Sequence, residues 1–225
     1  MITLNRIKKT NFYHHPASRY ERLEAATDLA AISGRKVLVL LDEQNLSITA
    51  KKLGYRLRYG LLAERINAAA DSAEIHIFTA TETGDVYSTR QQFKKLGYLT
   101  HLKIIRNKCY GKTCDSNIDN HFAFWSGMQA RRTIFDIIVL GSGDYGLSGE
   151  VAKEIYEQRR NKAMSIMTLS LPGSTSQKLD AETNPNITAN LEIGLDMLEP
   201  LARSKSQFAA ATVSSFRKFR FDNIC

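Results

Sequence analysis

The 225-residue chain has no window approaching the roughly 18 consecutive apolar residues of a membrane span. Its amino terminus, with Lys8 and Lys9 followed by polar residues, lacks the apolar core of a signal peptide. A cytoplasmic protein with no membrane partner is expected. Cysteine is scarce: Cys109, Cys114 and Cys225 make an odd set of three, which predicts free thiols rather than a disulfide framework. Cys109 and Cys114 suggest half of a metal knuckle, but no second Cys/His pair with zinc spacing follows, so structural zinc is not expected. Acidic residues are the minority charge. Lys and Arg number 31 against 23 Asp and Glu, a net charge of +8, and the pI is near 9.4. That balance suits a polyanionic partner such as RNA or DNA as well as it suits plain solubility.

What is present is an ordinary globular composition, 43% hydrophobic and 24% charged, at a length that fits one well-buried domain with extensions. The chain is organised around Phe135-Asp136-Ile137-Ile138-Val139-Leu140, an apolar run ending in the turn Gly141-Ser142-Gly143-Asp144-Tyr145-Gly146. Such a run reads as a strand buried on both faces, the habit of central strands in parallel sheets. Asp144 therefore stands at the strand's carboxyl end, the edge where open α/β sheets bind ligands. A second run has the same form: Lys36-Val37-Leu38-Val39-Leu40-Leu41 ends in Asp42, with Asn45 three residues later.

Around these two strands the pattern alternates. Residues 1–34 read as an extension, with a helical stretch from Tyr20 to Ile32 that Gly34 ends. After the Asp42 strand come a polar loop, a helix from Tyr59 to Ala70, a strand Glu74–Thr79, a loop, and a helix about Val86–Leu96 stopped by Gly97. Leu99–Arg106 reads as a strand, Asn117 to Arg131 as a helix, Leu147–Arg159 as a helix and Ala163–Leu169 as the fifth strand. A last helical stretch is expected near Ile187–Leu201. Strands alternating with helices of these lengths predict right-handed crossovers and a three-layer α/β sandwich with a mostly parallel central sheet spanning residues 35–201. Residues 202–225 form a tail in which Lys205, Arg217, Lys218 and Arg220 interleave with Phe208, Phe216, Phe219 and Phe221. It suits phosphates and base stacking, or else a segment that packs its Phe residues on the domain and leaves the basic ones in water.

The acids form a candidate site. Asp42 and Asp144 end central strands on one sheet edge, while Asp115 and Asp119 fall in the loop-to-helix corner after the third strand. Clustered carboxylates usually serve a hard divalent cation, Mg²⁺ or Mn²⁺. Such a cation binds a phosphate oxygen and lowers the pKa of a coordinated water, the requirement for phosphodiester hydrolysis. Each aspartate taken singly also suits a turn or cap. Lys112 could neutralise phosphate charge, and Lys108, Arg131 and Arg132 are candidates for guiding a nucleic-acid backbone, as is the tail. A rival reading uses Gly141–Gly146 as a G-x-G-x-x-G nucleotide-binding turn. An acid at Asp144 would face the pyrophosphate there, and no acid ends the next strand.

Three blocks, Asp42-Glu43-Gln44-Asn45, Lys112-Thr113-Cys114-Asp115 and Gly141-Ser142-Gly143-Asp144-Tyr145, in this order and strand context, resemble the signature blocks of NYN domains, the LabA-like branch of the PIN-like nucleases. The likeness runs from about Lys36 to Leu201. It implies a PIN-like fold that binds Mg²⁺ or Mn²⁺ and acts as an endoribonuclease. By position, Asp42, Asp115 and Asp144 would be metal ligands and Asp119 would assist. Asn45 would orient the first acid or touch substrate, and Ser142 would support the turn that presents Asp144 and lie at the nucleic acid. Two departures stand out: Gly146 replaces a second acid common in the third block, and His121 stands where the second block usually has one, with Asp119 two places earlier. RNA is the expected partner, a homo-oligomer is left open, and the alternative is an RNA-binding module of the same fold without turnover.

Overall fold

The computed structural model describes residues 26–105, 118–132, 134–158 and 164–201. β1 (Lys36–Asp42) is buried from its second residue to its last. Alternate side chains feed two cores: Val37, Val39 and Leu41 pack in one, Leu38 and Leu40 in the other. This period-two partition is what a strand covered on both faces requires. β3 (Ser72–Glu82), β4 (Leu99–Ile105), β5 (Ile137–Gly141), β6 (Ser165–Ser170) and β7 (Ala189–Glu192) join it in one sheet of order β4-β3-β1-β5-β6-β7. All five described pairings are parallel, with Val39 beside Ile75 on one side and Val139 on the other. α1 (Glu43–Lys52), α2 (Tyr59–Ala69) and α3 (Val86–Lys95) send Leu46, Leu62, Ile66 and Phe93 into the first core. α4 (Ile118–Ala130) and α5 (Tyr145–Gln158) send Phe122, Val151 and Ile155 into the second. The expected three-layer α/β sandwich is the observed one.

Three local expectations are overturned. The polar loop after β1 is α1: the Asp42 carboxylate accepts the Asn45 N–H as an N-cap, Glu43 lies in the first turn and Lys51 and Lys52 in the last. Acid at the start and base at the end both favour the helix dipole. The helix expected near Ile187–Leu201 is instead β7, a 3₁₀ turn Leu195–Met197 and β8 (Leu198–Pro200), which pairs antiparallel with β2 (Tyr55–Leu57). Leu191 and Ile193 are buried two residues apart, a strand period, and the exposed edge of β6 supplies the partner. Over residues 26–32 the chain is irregular with one 3₁₀ turn, Ala30–Ile32, rather than helical. Thr27 donates N–H and O–H to Asp196 at 2.9 and 2.8 Å, and Leu29 and Ile32 enter the core, so this stretch belongs to the domain. Among the described residues no helix is long and apolar enough to cross a membrane.

Candidate functional site

β1 and β5 are hydrogen-bonded neighbours, yet the chain leaves them in opposite directions: β1 leads outward to β3 and β4, β5 outward to β6 and β7. The crevice at their carboxyl ends is thus the topological switch point of the sheet, where ligands bind in open α/β folds. Asp42 and Asp144 are delivered to it.

Asp42 is 7% exposed. One carboxylate oxygen accepts the Asn45 N–H at 3.1 Å and the other the Ser142 hydroxyl at 3.3 Å. Burial, aided by the negative charges of Asp119 and Glu43, pushes its pKa up to about 6 against the lowering pull of those two hydrogen bonds. Its neighbour Glu43 is drawn away, accepting from Thr79 Oγ1 at 3.0 Å and Tyr59 OH at 3.3 Å. Ser142 is fully buried, and its oxygen accepts the Asp144 N–H at 3.3 Å while donating to Asp42. The Asn45 side-chain oxygen accepts the Gly143 N–H at 3.1 Å. Two side chains therefore lock the β1 and β5 termini together.

Asp144 is exposed and its carboxylate accepts the Gly146 N–H at 2.9 Å, in the first turn of α5. The glycines before it serve close packing. A Cβ on Gly141 would lie 2.3 Å from Leu41 Cδ2, and one on Gly143 would lie 2.4 Å from the Ser174 carbonyl oxygen. The nucleotide reading of this turn loses its anion seat, because the Asp144 carboxylate itself takes a first-turn N–H of α5.

From Asp144 a groove of about 510 Å³ runs between α4 and α5, walled by Asp119, Ala123 and Gly127 on one side and Gly146, Glu150 and Glu154 on the other. Four carboxylates thus face one groove in a chain of net charge +8. Glu150 and Glu154 were not among the expected site residues. Their signal was the ladder Gly146-Glu150-Glu154 at i, i+4 spacing, which puts two acids on the stripe that begins beside Asp144. Among the described residues neither Asp42 nor Asp144 pairs with Lys or Arg, and no three His, Cys, Asp or Glu side chains group closely enough to hold a metal ion.

Other expected residues fall elsewhere. Asp115, Lys108 and Lys112 lie outside the described residues. Ser142 is buried beneath the turn, so it positions Asp42 and Asp144 and has no surface for a nucleic acid. Arg131 and Arg132 follow the far end of α4, a 13-residue helix whose first turn carries Asp119; at 1.5 Å rise they are about 20 Å from that acid. Arg132 instead donates to Glu74 at 2.7 Å and lies over the Phe135 ring. His121 packs edge-on to Phe78 and His101 and does not line the groove. Asp119 does line it.

No family model and no curated protein matches the chain. A crystal structure of a Vibrio parahaemolyticus protein of unknown function is similar in fold, with a TM-score of 0.59 at 18% identity over 74% of this chain and 97% of that one.

Proposed function

We propose that the chain is a metal-dependent endoribonuclease of the NYN, PIN-like type, acting on RNA in the cytoplasm with Mg²⁺ or Mn²⁺. The observation that carries the reading is the pair Asp42 and Asp144, brought to the switch point by adjacent parallel strands and locked there by Ser142 and Asn45. The donor set suits a hard cation. It is all oxygen, burial and then the nearby charges of Asp119 and Glu43 raise the Asp42 pKa, and neither Asp42 nor Asp144 is neutralised by a described Lys or Arg. Mg²⁺ commonly takes one or two carboxylates and completes its shell with water and substrate phosphate, so a full protein cage is not required.

Asp42 and Asp144 would hold the ion, with Asp115 the third ligand that the family resemblance implies. When bound, it would supply a polarised phosphate oxygen and an activated water for hydrolysis. Ser142 and Asn45 fix the two carboxylates, and Asp119 faces the groove as a proton acceptor. The test is cleavage of labelled single-stranded and structured RNA in Mn²⁺, Mg²⁺ or EDTA. Wild type should cut only with metal, and Asp144→Asn should lose about 100-fold or more in rate, the loss of several kcal/mol of charge stabilisation. Undiminished cutting by Asp144→Asn overturns the assignment. Gly146 in place of a second acid favours one other reading, an RNA-binding module without turnover. It predicts salt-sensitive RNA binding and no cutting by either protein.

A further inference from the structure

On the flank of α5 away from the groove, the loop after β6 brings a lysine to the same sheet edge. Ser176 N–H donates to the Gly143 carbonyl at 3.0 Å, and the loop's Ser174 carbonyl fills the space a Gly143 side chain would need. The loop is therefore fastened to the turn that presents Asp144. Beyond it, Leu179 is fully buried and Asn184 Nδ2 donates to the Lys178 carbonyl at 2.8 Å. The Lys178 backbone is pinned on both sides.

Its side chain is seated as well. The Lys178 ammonium lies 5.1 Å from the ring centroid of Tyr145, the residue after Asp144. That ring rests on Gly149, where a Cβ would come within 2.4 Å of a ring carbon. Tyr145 and Gly149, four residues apart, form one stripe of α5, rotated about 100° from the groove-lining stripe of Gly146, Glu150 and Glu154. Among the described residues Lys178 has no carboxylate partner. A ring face attracts an ammonium without cancelling its charge. The result is a positioned cation across the first turn of α5 from the acids.

We propose that Lys178, held on the Tyr145 ring, binds a backbone phosphate of single-stranded RNA next along the strand from the one at the acids. This rests on the nuclease reading and adds to it a substrate contact that acts as a point charge, the usual manner of lysine with phosphate. Acids in the groove repel a polyanion, so a cation outside the groove gives the strand its hold while the scissile phosphate faces the carboxylates.

The test measures binding of a labelled single-stranded RNA by the full chain in EDTA across a salt series, and cleavage kinetics in Mn²⁺, for wild type, Lys178→Ala, Lys178→Arg and Tyr145→Leu. Lys178→Ala should weaken binding several-fold, equally on uridine-rich and adenosine-rich strands. It should also flatten the plot of log affinity against log salt by about 0.7, one phosphate contact on a single strand. KM should rise with kcat within about twofold. Lys178→Arg should restore most of the affinity, and Tyr145→Leu, which keeps the charge but removes its seat, should lose part of it. Wild-type affinity and salt slope in Lys178→Ala, in a protein whose wild type cuts RNA, overturn the role of Lys178 alone. A wild type that neither binds nor cuts RNA removes the nuclease reading and this contact with it.

Discussion

On the face covered by α1, α2 and α3 the strands present Val37, Val39, Leu41, Ile75, Ile77 and Val139, an aliphatic surface. On the face covered by α4 and α5 the same strands begin alike, with Leu38, Leu40, Ile138 and Leu140, and then change. β1 ends there in Asp42, β3 adds His76 beside Phe78, and β6 adds Thr168 and Ser170, all buried. The helices over it bury Ser126 and Ser148, whereas Thr27 and Thr79 are the buried polar residues on the other side. A buried polar group costs free energy unless it is hydrogen-bonded, and apolar burial yields it. One face is therefore stabilised by apolar burial, while the other also holds polar groups, each with a hydrogen-bond partner, and ends at the proposed site.

Truncating each core tests that division. Leu62 is fully buried under the aliphatic face and Phe122 is 1% exposed under the other, against the Phe78 ring at 4.8 Å between centroids. Phe122→Ala should cost about 4 kcal/mol and Leu62→Ala about 3 kcal/mol in urea unfolding. The functional outcomes should split. Phe122 anchors α4, which carries Asp119 into the groove, so if Mn²⁺ raises the Tm of wild type, as the proposed site predicts, Phe122→Ala should lose that rise. Leu62→Ala should keep it. Equal loss in both variants would mean that the faces do not divide stability from site.

Asp42 sharpens the comparison, since it stands where an apolar residue would be more stable. Its folded pKa of about 6 lies above the ordinary 3.8, so the folded state holds its proton longer than the unfolded chain does. Stability from this group is complete below pH 3.8 and is lost as pH rises to about 6. A shift of two units is worth about 3 kcal/mol in full. Asp42→Asn keeps the side-chain oxygen that caps α1 and removes the charge, so it should gain about 2 kcal/mol at pH 7.5, read as a higher Tm. The gain should vanish below pH 4, and RNA cleavage should be lost at every pH. A variant no more stable than wild type at pH 7.5 would show that Asp42 is not under electrostatic strain.

The sheet was legible because β1 and β5 are continuous Ile/Val/Leu runs that only a doubly covered strand explains, and each ends in its acid. The order in which strands meet, which makes β1 and β5 neighbours and so pairs Asp42 with Asp144, follows from tertiary packing that no single run encodes. The signals of α1 are local: Asp42 as cap, Leu46, Ala50 and Leu53 on one side, and Gly54 at a φ of +86° closing it. Its polar composition hid a helix that buries only a narrow stripe. The apolar residues of Ile187–Leu201 stand at mixed spacing that suits a helix as readily as a strand, and the hydrogen-bonding edge of β6 decides for β7. Arg131 and Arg132 seemed near the acids in sequence, but α4 carries them to the opposite end of the sheet.

The smallest effect concerns the polar row on the α4 side. Arg132 donates to Glu74 at 2.7 Å, Glu74 bonds His76 Nε2 at 2.8 Å, and His76 Nδ1 lies 2.9 Å from His101 Nε2. An ionised Glu74 accepts only, so Nε2 of His76 carries a proton; with both rings neutral, the state their lowered pKa values favour at pH 7.5, His76 Nδ1 accepts and His101 donates from Nε2. Burial first, then the neighbouring histidines, lowers the His101 pKa to about 4, and burial lowers those of His76 and His121, with Arg132 and Lys103 adding like charge. The unfolded chain takes up the His101 proton below pH 6.5 while the fold refuses it until about pH 4, and the lowered pKa values of His76 and His121 act in the same direction, so stability falls as pH drops through that window. His101→Phe keeps the stack on Phe78 but leaves His76 Nδ1 unpaired, a cost of about 1 kcal/mol at pH 7.5. It should then lose about 1–2 kcal/mol less than wild type between pH 6.5 and 4.5, a figure discounted from the full shift because the ring is only partly buried. The two unfolding curves should converge on acidification. Asp42→Asn should steepen the same acid-side slope, because it removes a group that gains stability as pH falls. If His101→Phe and wild type run parallel from pH 7.5 to 4.5, His101 is not the group that refuses the proton, and the acid sensitivity of this face belongs to His76 or His121.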